Sequence, residues 1–165
     1  MPESFDHQEE FTEQVFEAIE TREALIEGRI FEGCTFRKCN FGSTRFKACR
    51  FIDCSFEHCD LSNIQLHSSA WRDTAFRGCK LIGVNWANAS SMTRISFEVS
   101  RLDLCSFVGL DLRNFCFREC SLKEADFADA SLGNADFRHS DLAGARFSLP
   151  EATLLLYGLG IEIEE

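Results

Sequence analysis

The chain has 165 residues, 45% of them apolar, with nine cysteines, seventeen phenylalanines and a formal net charge of −10. That length is enough for one domain, and no apolar run is long enough to span a membrane. The N-terminus, MPESFDHQEE, lacks the basic and apolar segments of a secretion signal, and the acidic balance excludes a simple nucleic-acid binder; the cytosol is the expected compartment.

In chain order, the first organised feature is a period of five. Phe31, Phe36, Phe41, Phe46, Phe51, Phe56, Leu61, Leu66, Trp71, Phe76, Leu81 and Trp86 recur at that spacing, each preceded two residues earlier by a small residue in most cases. A helix turns by about 140° over five residues, so these positions would spiral around its surface. A straight strand would send alternate small positions to opposite faces. Both positions stay inward only if the chain turns a corner once per five residues, which predicts a solenoid of very short strands.

One residue is inserted within ANASS (residues 87–91), where Trp86 to Met92 spans six positions. A second frame then runs from Met92 through Phe97, Leu102, Phe107, Leu112, Phe117, Leu122, Phe127, Leu132, Phe137 and Leu142 to Phe147. Phe and Leu alternate strictly from Phe97 onward. Like residues then stack only if each coil holds an even number of pentads, and four sides place Phe36, Phe56, Phe76, Phe97, Phe117 and Phe137 in one column. Twelve pentads before the slip and twelve after it make six coils, a rod roughly 29 Å tall at about 4.8 Å per coil. The inserted residue is expected to be absorbed as a bulge or corner adjustment. The interior should be filled by side chains, leaving no ligand cavity.

The tail, SLPEATLLLYGLGIEIEE (148–165), leaves the frame. Ser148 and Glu151 have capping-box spacing, Pro150 suits a first helical turn, and Gly158 can end the helix. Leu154, Leu155, Leu156, Tyr157, Leu159 and Ile161, with Ala152 and Ile163, are more apolar surface than covering one open coil needs. The segment is read as both a short helical cap and the seam of a twofold dimer.

Eight cysteines (Cys34, Cys39, Cys49, Cys54, Cys59, Cys79, Cys105, Cys120) fall on the small inward position and read as buried hydrophobes, with Cys39, Cys59 and Cys79 stacked on one face. Their spacing is not that of a zinc site, and a reducing compartment argues against disulfides. Cys116 falls one residue before the central Phe and is expected to point outward as the one candidate reactive thiol. His7, His58, His67 and His139 are scattered, and RHSD (138–141) cannot converge into a triad on an extended strand. No phosphate loop or hydrolase motif is present, so no catalytic residue, metal or cofactor is expected and the chain reads as a non-enzyme.

Charge is unevenly placed. Residues 1–30 carry nine acids and two bases; 31–91, five and eight; 92–147, nine and seven; 148–165, four and none. The acidic surface of the coils therefore belongs to the second half: Asp103, Asp111, Glu119, Glu124, Asp126, Asp129, Asp136 and Asp141. Asp126, Asp136 and Asp141 precede a central residue and are expected at exposed coil corners. Arg37, Lys38, Arg45, Lys47 and Arg50 form a basic set in the first half, read as solubilising a coil rather than contacting nucleic acid.

The repeat, small at one position and Phe or Leu two residues on, resembles the pentapeptide-repeat proteins, which implies an all-β fold, a right-handed quadrilateral β-helix, over residues 1–147, with 148–165 as cap and dimerisation segment. Three stretches resemble the topoisomerase-directed branch of Qnr, MfpA and McbG. Residues 10–36 resemble the start of MfpA, implying that 1–30 hold an acidic cap and a degenerate first coil on Phe11, Phe16, Thr21 and Ile26. CKLIGVNWANAS (79–90) and DFRHSDLAGARFS (136–148) resemble Qnr and McbG stretches. ATLLLYGLGIEI (152–163) is similar to the Qnr dimerisation segment. The resemblance implies a dimeric DNA mimic that binds DNA gyrase or topoisomerase IV, inhibiting it or protecting it from quinolones or a toxin, with Asp111, Glu124, Asp126, Asp129, Asp136 and Asp141 as the partner surface. Qnr-type long loops are absent, the sole interruption being the one-residue slip. A scaffold for an unrelated protein partner is the alternative.

Overall fold

A computed structural model describes residues 5, 8–149 and 151–161. The expectations placed on His7, Pro150 and Ile163 lie outside those residues.

The chain winds as a quadrilateral parallel β-solenoid. On the first face, strands Glu10–Thr12, Ile30–Glu32, Arg50–Ile52, Ala70–Arg72 and Ser91–Thr93 pair in parallel, one coil apart. The second face pairs Val15–Glu17, Thr35–Arg37, Ser55–Glu57, Ala75–Arg77, Ser96–Glu98 and Cys116–Arg118 in the same way. The third face is a ladder of single bridges through Glu20, Asn40, Asp60, Lys80, Arg101, Ser121 and Asp141, which counts seven coils. The fourth face includes Leu25–Glu27, Arg45–Lys47 and Gln65–His67, and later Asp126–Phe127 against Arg146–Phe147. The degenerate first coil takes part fully: Phe11, Phe16, Thr21 and Ile26 are all buried.

The central residues form the core. The second-face column stacks ring on ring from Phe16 through Phe36, Phe56, Phe76, Phe97 and Phe117 to Phe137, with centroids 4.6–5.3 Å apart. Adjacent faces meet edge to face, as Phe107 meets Phe117 at 5.4 Å and 82°, so both arrangements favoured by aromatic quadrupoles are used. Phe5 closes the lower end, packed on Phe11, Phe16 and Phe31. Its spacing of six from Phe11 hid it from the five-residue frame.

The slip is a corner adjustment. Trp86–Asn88 makes one 3₁₀ turn between the fourth and first faces, with the Asn85 side chain accepting from the Ala87 N–H at 3.1 Å. Pairing then resumes one residue out of step, Trp71 opposite Met92.

The cysteines are more than small hydrophobes. Most inward thiols and hydroxyls donate to the carbonyl of a central residue one coil below: Cys54 to Phe31 at 3.4 Å, Cys79 to Phe56 at 3.2 Å, Cys105 to Leu81 at 3.0 Å, and Ser69 to Phe46 at 2.9 Å. Phe31, Phe46 and Phe56 are the middle residues of their short strands, and a carbonyl oxygen has a second lone pair to offer. A weak S–H donor in a small volume meets that need without opening a cavity. All nine cysteines are free.

Corners carry the position two residues past each central one. Among the described residues, twenty non-glycine residues there, together with glycines such as Gly78 and Gly83, have positive φ. This left-handed step lets a coil turn every five residues. α1 (Ala152–Gly158) follows the seventh coil. The expected capping box does not form: Ser148 Oγ hydrogen-bonds Asp129, and the Glu151 carboxylate accepts from the Leu132 N–H at 3.0 Å. Both side chains tie the tail to the coils instead of capping the helix.

Candidate interaction surface

The interior is occupied by the buried central and small side chains of the coils. Among the described residues, no three His, Cys, Asp or Glu side chains are placed to hold a metal ion. In RHSD, Ser140 turns inward to the Phe117 carbonyl while Asp141 faces Lys123 at 3.1 Å, so the residues diverge. The outside of the rod carries the charged residues singled out in the sequence.

The acidic set of the second half is placed differently from the sequence expectation. Residues preceding a central residue stand on the faces, and the corners lie two residues after it, so Asp126, Asp136 and Asp141 are not corner charges. Asp126 and Asp136 are only part-exposed. Each of these aspartates accepts a hydrogen bond from the N–H two residues on: Asp126 from Ala128, Asp136 from Arg138 and Asp141 from Ala143, all at 3.0 Å, as does Asp111 from Arg113 at 3.2 Å. Asn40 and Asp60 do the same earlier in the chain. This side-chain mimic of a turn helps the backbone leave the strand. The signal was in the sequence as Asp or Asn recurring just before the central residue, and it marks a structural duty as much as a charge.

Most of these carboxylates also have cationic partners. Asp111 is held by Arg113 at 2.5 and 2.8 Å, and that guanidinium lowers its carboxyl to about 2. Asp136 takes Arg138 and Arg118, both at 2.7 Å, and Arg138 chiefly holds its carboxyl well below the ordinary range. Arg146 lies 3.5 Å from Asp126. Asp129 accepts from the Ser148 hydroxyl. Glu124 and Glu119 are exposed and, among the described residues, enter no ion pair. The second face shows the same neutralisation: Glu17, Arg37, Glu57, Arg77, Glu98 and Arg118 alternate in register, with Arg37–Glu57 at 2.9 Å and Arg77–Glu98 at 2.6 Å. In the basic set, Arg37 and Lys47 are likewise paired, the latter with Glu27 at 2.8 Å.

The tail divides into two faces. Leu155 and Leu159 are half-buried against the core, and the Gly158 carbonyl accepts from the Phe137 N–H at 2.8 Å. A Cβ at position 158 would lie 2.5 Å from the Ala135 carbonyl oxygen, so only glycine allows that approach. Leu154, Leu156, Tyr157 and Ile161 are exposed, as is Leu149. Cys116 is half-buried rather than free on the surface, and burial raises its thiol pKa, the opposite of activation.

A rod of four-sided coils built on a five-residue unit defines the class of protein. The chain belongs to the pentapeptide-repeat family: the model described as pentapeptide repeat region matches residues 29–104, and that of pentapeptide repeats in eight copies matches residues 120–148. No curated protein matches the chain significantly. Among solved structures, a trypsin-treated variant of QnrB1, a plasmid-mediated fluoroquinolone resistance protein, is 20% identical, covers 94% of this chain and 100% of its own, and has a TM-score of 0.41. A pentapeptide repeat protein from the thylakoid lumen of Arabidopsis thaliana is 18% identical over 73% of this chain and 69% of its own, with a TM-score of 0.45. HetL, involved in heterocyst differentiation regulation in the cyanobacterium Nostoc, is 17% identical over 84% and 87%, with a TM-score of 0.27. Among the described residues no helix is long and apolar enough to cross a membrane.

Proposed function

We propose that the protein is a cytosolic, non-enzymatic modulator of a bacterial type II topoisomerase, DNA gyrase or topoisomerase IV, acting as a dimeric rod that occupies the DNA-binding surface. The observation that carries this reading is the terminal helix. Leu155 and Leu159 already close the last coil, yet Leu154, Leu156, Tyr157 and Ile161 remain exposed beside them. An apolar face beyond what a cap uses fits a twofold seam, at the segment whose sequence resembles the Qnr dimerisation segment. Two rods joined there would bring their seventh coils, with Asp136 and Asp141, together. QnrB1's role in fluoroquinolone resistance makes protection from quinolones one form the modulation can take.

A second reading, an interaction module for an unrelated protein, is favoured by the ion pairing. Asp111, Asp126, Asp136 and Asp141 are matched by arginine or lysine, so the sides of the rod present less net negative charge than duplex DNA does. A gyrase supercoiling assay with and without quinolone separates the two. Inhibition or protection supports the topoisomerase reading, and no effect of the dimer at saturating concentration removes it.

A further inference from the structure

The fifth coil breaks the rule that the other corners follow. Of the twenty non-glycine residues with positive φ among the described residues, eighteen are polar, charged or alanine. The other two are Val99 (φ 50°) and Leu104 (φ 61°), on successive corners of one coil. A β-branched residue is a real outlier in the left-handed region, and Val99 is the one β-branched residue in that set. Neither is repaid by burial: Val99 is 58% and Leu104 57% exposed. Val108, on the next side of the same coil, is exposed as well. Strained backbone and exposed apolar surface therefore coincide at residues whose fold role a glycine would fill better, as Gly78 and Gly83 do at the same corners one coil below.

What lies one coil above gives the chemistry of a partner. The Val99 N–H bonds the Arg118 carbonyl and the Leu104 N–H bonds the Lys123 carbonyl, which puts Glu119 and Glu124 at the corresponding corners. Both are exposed and unpaired among the described residues, while the nearby cations are committed: Arg118 to Asp136, Lys123 to Asp141, Arg101 to Asp103. Each corner thus presents an apolar side chain with a free carboxylate beside it.

We propose that Val99 and Leu104, with Glu119 and Glu124, form a docking surface for a basic amphipathic segment of a protein partner, lying across the rod with apolar residues on the fifth coil and lysine or arginine on the sixth. The free carboxylates disfavour a nucleic acid or an anionic lipid surface at the same place. The surface is distinct from the terminal helix and does not depend on which protein the rod modulates.

The test uses two labelled peptides of equal charge, an amphipathic lysine–leucine helix and its lysine–serine counterpart, titrated with the full chain by fluorescence anisotropy. The wild type should prefer the lysine–leucine peptide by at least about tenfold, since each 1.4 kcal/mol of apolar contact is tenfold in affinity. Val99→Gly/Leu104→Gly should erase that preference while leaving the thermal midpoint equal or higher, because glycine relieves the left-handed strain. Glu119→Gln/Glu124→Gln should weaken both peptides. A preference that survives the double glycine variant belongs to the terminal helix and overturns the proposal. So does a lowered thermal midpoint, which would make the two side chains structural, and so does tighter binding to anionic vesicles than to the peptides.

Discussion

The ring of Phe117 lies 5.0 Å from that of Phe137, with 3° between their planes, one coil apart. Phe97 stacks below at 5.3 Å, and the rings of Phe107 and Phe127 close the sides edge-on. Phe117 therefore has neighbours on every side and no route for relaxation, since the two rings of its own column are held at coil spacing by backbone ladders. Phe117→Ala should cost about 3–5 kcal/mol. Arg118 is the next residue, with a side chain 43% exposed, and its ion pair with Asp136 is partly screened; Arg118→Ala should cost less than about 1 kcal/mol. Urea unfolding followed by the fluorescence of buried Trp71 and Trp86 measures both. Comparable losses at the two sites would show that the five-residue frame does not define the core.

Corner geometry predicts a coupled pair. A Cβ on Gly78, at φ 62°, would lie 2.5 Å from Nδ1 of His58, which sits at the same corner one coil below. Gly78→Ala combines left-handed strain with that clash and should destabilise by about 1–3 kcal/mol. His58→Ala alone should be near neutral, and added to Gly78→Ala it should recover most of the clash. A double-mutant cycle with no coupling would mean that the imidazole swings aside freely.

The five-residue frame, the four sides, the stacked column and the site of the slip were all legible in the sequence, because each depends on residue size at a fixed spacing. Phe5 was not, because a terminal plug need not keep the period of the coils it covers. The role of the aspartates was legible in principle and missed: Asp136 and Asp141 were read for charge, while their carboxylates also bend the backbone two residues on. Ion pairing was not legible, because Arg118 and Asp136 are 18 residues apart and meet only once the coil height is known. The halves of the tail could not be told apart either. Leu155 and Leu156 are neighbours in sequence, and only the direction of α1 decides which one faces the coil.

Four buried thiols make stability fall in alkali. Burial raises the Cys54, Cys105 and Cys120 thiols to about 12 and Cys49 to about 11. Once unfolded, they ionise near the ordinary thiol value of 9.0. A group whose pKa is raised in the native state contributes its full stability below the unfolded value and loses it as pH rises toward the folded one. Stability should therefore hold up to about pH 9 and fall steadily between about 9 and 12, with the slope reduced in Cys54→Ser and Cys120→Ser, which keep a donor but do not ionise there. Native protein should also react slowly with a thiol reagent at pH 8, and unfolded protein with nine equivalents. An unchanged slope in the serine variants would assign the alkaline loss to other groups.

The two faces of α1 predict two different failures. Leu155 packs against the last coil, so Leu155→Asp places a carboxylate where no partner waits and should lower the thermal midpoint. Tyr157 is 61% exposed and Leu156 38%, so Leu156→Asp/Tyr157→Asp should leave the folded protomer intact. In a twofold seam the introduced charges would meet their own symmetry copies, combining desolvation with like-charge repulsion, and the dimer should dissociate to monomer. Sedimentation velocity reads the mass and circular dichroism the fold, so the two effects separate cleanly. If topoisomerase modulation needs both rods, the double variant should lose it while Glu124→Gln, which leaves the seam alone, keeps dimer mass. A wild-type monomer at micromolar concentration would remove the seam and the two-armed geometry with it, leaving the exposed leucines to a different partner.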